Sequence, residues 1–143
     1  MTKTNQLAKL VRRDDLFNGP FKPCGEYAQE TYSLLNRYIF DNGLDPAQLE
    51  IKRTRGYWGM CVGTTDIIND SFYVEKIVLS SRFAFKAQFI ATLAHEMVHQ
   101  FQWDVLSNER WGQGKQPIMS HGPSFFAWRE PLSEYFIPLK REI

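Results

Sequence analysis

The chain holds only two cysteines, Cys24 and Cys61, far apart and in no CxxC pair. That excludes a zinc ribbon or a thioredoxin-like redox motif and leaves free, buried thiols in a reducing compartment as the expectation. No apolar run reaches the roughly 18 residues that a membrane span needs, and Met1-Thr2-Lys3-Thr4-Asn5 lacks the apolar core of a secretory leader. A soluble, intracellular protein without a membrane partner is therefore expected. Charge of one sign is also missing: 17 Lys and Arg stand against 16 Asp and Glu, a net of +1, where a typical DNA-binding domain is strongly basic. Repeats and low-complexity stretches are absent. With 143 residues, 43% hydrophobic and 23% charged, the chain reads as one globular domain, 1–143, large enough for its own core. No feature of the sequence sets an oligomeric state.

Histidine is scarce as well, three residues in all, and every one falls in a single pattern: His95-Glu96-Met97-Val98-His99, then His121 before Gly122 and Pro123. On a helix, residues four apart share a face, so His95 and His99 can present two imidazoles to one zinc ion. Glu96 lies about 100° round the helix from His95, placed to reach a reacting water as general base instead of binding the metal. The motif needs a helix, and 83–105 contains neither Gly nor Pro and is rich in Ala, Leu, Lys, Gln and Met. Apolar residues cover much of its circumference, so it should be largely buried, with Ser80 and Ser81 as candidate caps. The bland reading is a core helix carrying two satisfied histidines; the Glu between them argues against accident.

Catalytic zinc takes three protein ligands and leaves a fourth position open. The extended HExxHxxGxxH form is excluded, because Gln102 and Val105 stand where its glycine and third histidine would be. His121, 22 residues past His99, is one candidate for the third ligand; Glu130 or Glu134 from a later helix are the others. His121 is favoured, because Ser120-His121-Gly122-Pro123-Ser124 reads as a loop entering a helix with Pro at its first position. A surface loop histidine is the competing reading.

Elsewhere the pattern predicts a small α+β domain with a short, mostly antiparallel sheet packed on the HExxH helix. Helices are expected over 7–16 and 26–41, strands over 49–54, 57–62 and 72–80, and a terminal helix from Pro123, broken or bent at Pro131. Residues 107–119 read as a long loop and a candidate lid. Trp58, Trp103, Trp111 and Trp128 are expected near the active helix, as core packing more than as base-stacking platforms. A strand beside that helix could align an extended peptide by edge pairing, which favours unstructured protein segments as substrate.

The stretch Ile77-Val78-Leu79-Ser80, the run Thr92-Leu93-Ala94-His95-Glu96-Met97-Val98-His99, and His121-Gly122-Pro123-Ser124-Phe125 with Trp128 resemble the SprT-like metalloprotease domain of the SprT/Spartan family. The resemblance covers roughly 49–129. It implies a zincin-like domain with one Zn2+ held by His95, His99 and His121, with Glu96 as catalytic acid/base. It also implies protein or peptide substrates and a place in DNA–protein crosslink repair. The segment between His99 and His121 is longer than in Spartan, and no cysteine-based zinc module of the kind that contacts DNA in the family follows.

The expected activity is thus zinc-dependent endopeptidase cleavage of flexible segments, including those of DNA-associated proteins. DNA enters as a partner through the resemblance and through two basic clusters, Lys9/Arg12/Arg13 and Lys52/Arg53/Arg55, the second being the candidate contact. The alternative is a non-catalytic, zinc-stabilised domain that binds DNA or protein. A third reading is a metallohydrolase acting on a small amide.

Overall fold

The computed structural model describes residues 3–141; Met1 and Thr2, the start of the segment read above as leaderless, lie outside it with Glu142 and Ile143. Helix α1 (Gln6–Leu10) is opened by Asn5, whose side chain accepts a hydrogen bond from the Ala8 N–H at 2.9 Å. It is shorter than predicted: extended backbone at Arg13 separates it from a 3-10 turn at Asp14–Phe17. Helix α2 (Gly25–Tyr38) stops before Asp41 and Asn42, which both take left-handed φ, and the Asn42 N–H closes onto the Asn36 carbonyl at 2.7 Å.

Three strands follow, β1 (Gln48–Lys52), β2 (Gly59–Asp66) and β3 (Ser71–Ser80), in the spatial order β1-β3-β2. β2 and β3 form an antiparallel hairpin, but β1 pairs with β3 in parallel, Gln48 opposite Lys76 through Lys52 opposite Ser80. The sheet is therefore mixed, not mostly antiparallel. The link over 53–58 carries the chain past the end of β3, so β1 and β2, adjacent in sequence, are not adjacent in the sheet. Burial along β3 reflects this: Phe72 and Val74 alternate with exposed neighbours, whereas Ile77 to Ser80 are buried on both faces.

β2 runs past its predicted end at Val62 by means of a bulge between Val62 and Gly63. A Cβ on Gly63 would sit 2.7–2.9 Å from the Trp103 indole. That indole cannot easily yield: its N–H donates to the Thr64 carbonyl at 3.1 Å and its face meets Phe72 edge-on.

Helix α3 (Lys86–Phe101) crosses the domain with Phe89, Leu93, Ala94, Met97 and Val98 fully or almost fully buried against Tyr32, Leu35, Ile77 and Leu79. Neither Ser80 nor Ser81 caps it. Ser80 Oγ bonds the Arg82 backbone, and α3 begins after extended Phe85, with the Gln88 side chain accepting from Ala84 N–H at 2.8 Å. At its far end polar pins fix α3 between α2 and β3. The Tyr32 hydroxyl donates to Gln100 Oε1 (2.8 Å), Gln100 Nε2 to Asp104 (2.9 Å), and the Val74 N–H to Asp104 (2.7 Å).

The helical path continues past 105, and the first part of the stretch read as a loop, 107–112, is helical. A π-helical segment, Gln102–Leu106, leads into α4 (Ser107–Gly112), which leaves 113–122 as the loop. α5 (Pro123–Phe126) opens with Pro123 in its first turn as predicted, and α6 (Arg129–Ser133) follows. The break falls at Ala127–Trp128, ahead of Pro131, because Pro131 sits in the first turn of α6 and has no N–H to return to Ala127. The tryptophans do not form one cluster: Trp103 and Trp111 flank Phe72, Trp58 stacks on Phe83, and Trp128 packs on Phe40 and Phe101. Among the described residues no helix is long and apolar enough to cross a membrane.

Gly63→Ala forces the pinned indole to move. It should lower unfolding stability in urea by about 1–3 kcal/mol and shift Trp103 fluorescence; an unchanged midpoint would show that the indole yields freely.

Candidate metal centre

α3 presents His95 and His99 one turn apart, both buried, and the loop before α5 returns His121 to them from the solvent side. His121 Nε2 lies 3.3 Å from His95 Nε2 and 3.1 Å from His99 Nε2. The three donor atoms fall within 4.8 Å of one another, a group that could hold a metal ion. A tetrahedral ion with metal–nitrogen distances of about 2.0–2.1 Å sets its donors about 3.3–3.4 Å apart, so the spacing of His121 from each helix histidine fits one. Three neutral imidazoles suit a first-row divalent ion. Among the described residues neither Glu130 nor Glu134 joins the group, and Glu134 instead faces Lys3 at 3.5 Å.

Phe125, fully buried, forms the floor: its ring meets those of His95, His99 and His121 with centroids 4.8–4.9 Å away. Four residues after His121 and one turn into α5, it excludes water from the inner side of the cluster. Burial, reinforced by the neighbouring imidazoles, pushes His95 down to about 4. Burial also lowers His99, against an opposing hydrogen bond from Gln102. Both rings are thereby kept neutral, the form that binds metal. His95 Nδ1 is buried without a hydrogen bond of good geometry, while the Lys140 backbone acts on it in favour of the charged form.

Glu96 stands apart from the metal group, turned towards β2. Burial raises its carboxyl to about 8, with the Cys61 backbone opposing. In the metal-free protein it therefore changes between acid and carboxylate around that pH. Room for it comes from Gly59, where a Cβ would stand 2.8 Å from the Thr92 methyl group, 3.1 Å from Glu96 Cγ and 3.3 Å from Glu96 Oε2. Sequence reasoning noted Gly59 only as part of a strand. It used Gln102 only to exclude the extended motif and gave it no role, although its side chain touches His99 and the loop at once; its position three residues after His99, on the same helix face, was the available signal.

Lys52, Arg53 and Arg55 lie at the exposed end of β1 and beyond it. Lys52 is 3.9 Å from Glu50. Arg53 instead shares a shallow cavity of about 530 Å3 with Lys22, Arg82, Thr54, Ser80 and Ser81. The other basic cluster is partly neutralised, with Arg13 3.3 Å from Asp15. Both cysteines are free, and Cys24 is exposed, contrary to expectation: its Sγ accepts from the Tyr27 N–H at the start of α2. Cys61 is buried, and burial pushes its thiol up.

In metal-free protein these shifts bend stability at both ends of the pH range. Glu96 is raised from 4.5 to about 8, so folding disfavours its charge and stability falls as pH rises across that interval. His95 is lowered from 6.5 to about 4, so its contribution is complete above 6.5 and lost as pH falls towards 4. Urea midpoints of chelator-stripped wild type and Glu96→Gln should diverge progressively above about pH 5, the variant being the more stable. Their acid limbs should coincide. Parallel upper limbs would remove Glu96 as the source.

No protein-family model, curated protein or solved structure matches the chain, so the functional argument rests on the geometry of this site.

Proposed function

We propose that this chain is a zinc-dependent endopeptidase of the SprT-like kind, a small zincin-like domain that cleaves flexible protein segments. The observation that carries the reading is the convergence of three imidazoles on one point, with a buried carboxyl, Glu96, next to His95 on the same helix. Three protein donors leave a tetrahedral ion one open position, whereas a purely structural site closes the fourth and has no use for such a carboxyl. When bound, zinc supplies Lewis acidity, lowering the pKa of water to about 7 and polarising a carbonyl.

The protein's own contribution is proton handling and alignment. Glu96 takes the proton of the attacking water and returns it to the leaving amine. His95, His99 and Phe125 hold the reacting region dry and fixed. β2 lies at an edge of the sheet and passes Glu96 at Gly59. An extended peptide added to that edge would reach the cluster through main-chain hydrogen bonds, with little demand on its sequence. Farther along, the Trp103 indole takes up the Thr64 carbonyl, so the part of the edge left to pair lies towards Gly59.

Zinc-loaded protein should cleave a flexible protein substrate, and Glu96→Gln should lower the rate by about 100- to 10,000-fold with bound zinc unchanged by metal analysis. Zinc bound without cleavage by wild type would favour the non-catalytic binding domain.

DNA as a partner is supported by the convergence of Lys22 and Arg82 on Arg53, the middle member of the predicted basic cluster. Filter binding of single-stranded DNA should weaken in Arg53→Ala/Arg82→Ala, with the slope of log K against log salt reduced by about one per contact removed. No binding at low salt would exclude this partner.

A further inference from the structure

We propose that Gln102 is the positioning residue of the metal centre: its amide holds His99 in the Nδ1–H tautomer and clamps the backbone beside His121. The ligands from the helix and the loop thus face one another before a metal arrives. This rests on reading the three-imidazole cluster as a metal centre, and is independent of the peptidase reading.

The side chain of Gln102 is fully buried, so each polar hydrogen and lone pair needs a partner. All four find one. Oε1 accepts from the Ser120 N–H at 3.2 Å and lies 2.8 Å from His99 Nδ1. Nε2 donates to the Ser120 carbonyl at 3.0 Å and to Ser124 Oγ at 2.9 Å.

The pair of bonds to Ser120 decides which way the amide points. Turned over, the NH2 group would face the Ser120 N–H and the oxygen would face the Ser120 carbonyl, two contacts between like groups. The orientation is therefore set by main chain, without any assumption about the histidine. An oxygen then faces His99 Nδ1, and an oxygen without a proton requires a donor. A neutral imidazole carries one N–H, so with the proton on Nδ1 the lone pair of Nε2 is bare and directed at the cluster.

The same amide reaches the second arm of the site. Ser120 precedes His121 and Ser124 lies in α5, so both bonds to the loop bracket the third ligand. A second tie starts from the same turn: Ser107 Oγ lies 2.9 Å from the Gln102 carbonyl and accepts from the Ile118 N–H at 2.9 Å. The π-helical segment opening at Gln102 brings Ser107 under that carbonyl five residues on. Gln102 thus joins two ligands that are 22 residues apart in the chain.

The first test needs no substitution. Ring-nitrogen NMR of metal-free wild type, at a pH where His99 is neutral, should report His99 with its proton on Nδ1; a proton on Nε2 would overturn the proposal. Zinc affinity is then read by competition with a chromophoric chelator, with circular dichroism to verify folding. Gln102→Leu removes all four bonds and should weaken zinc by about 10- to 100-fold, with the His99 tautomer no longer held. Gln102→Glu keeps an acceptor for His99 and loses both donors to the loop, so it should retain the tautomer yet still bind zinc less tightly. Unchanged zinc affinity in both variants would overturn this proposal alone. Wild type that takes up no zinc would overturn the metal reading and this proposal with it.

Discussion

Three imidazole nitrogens aimed at one point, with contacts of 3.1 and 3.3 Å, stay together only if something keeps the rings from turning away. Most of the other features around the site serve that condition. Burial of α3 disfavours protonation of His95 and His99, and Phe125 closes the inner side so that water cannot relieve the crowding. Gln102 satisfies its own buried amide only by engaging both arms of the cluster. The core of Leu93, Met97, Ile77 and Leu79 behind α3 supplies the rigidity, since a close-packed interior resists small rotations of the helix.

The same burial that keeps the histidines neutral also raises Glu96: the shifts run in opposite directions, and both disfavour charge. A neutral histidine is ready to bind a cation, whereas a carboxyl raised to about 8 in the metal-free protein rests mainly as the acid at neutral pH. One helix, buried on most of its circumference, thus holds both kinds of group in their uncharged forms in the metal-free protein. Its neighbour β2 must come close to do so, and the absence of a Cβ at Gly59 allows the approach.

Much of the fold was legible locally. The helix around His95 and His99 follows from a run without Gly or Pro, and α5 from Pro123 after a glycine. Errors arose where distant segments compete. A mostly antiparallel sheet was expected, and the parallel pairing of β1 with β3 was missed because strand periodicity carries no information on which strands pair. The helix over 107–112 was read as loop; Asn108, within it, is tied to the Phe72 backbone, a contact that sequence spacing does not reveal.

By itself the sequence determined the donors and their local geometry: two histidines four apart on a helix, a glutamate between them, and a third histidine with no other histidine to compete. A regular helix fixes the direction of side chains a few residues apart, so spacing alone suffices there. The tertiary structure alone decided that His121 and not Glu130 or Glu134 completes the group, that Gln102 joins its two arms, and that Gly59 makes room for Glu96. Those relations connect residues 18 to 37 positions apart through main-chain atoms and packing contacts, which depend on the path of the folded chain and leave no periodic trace in the sequence.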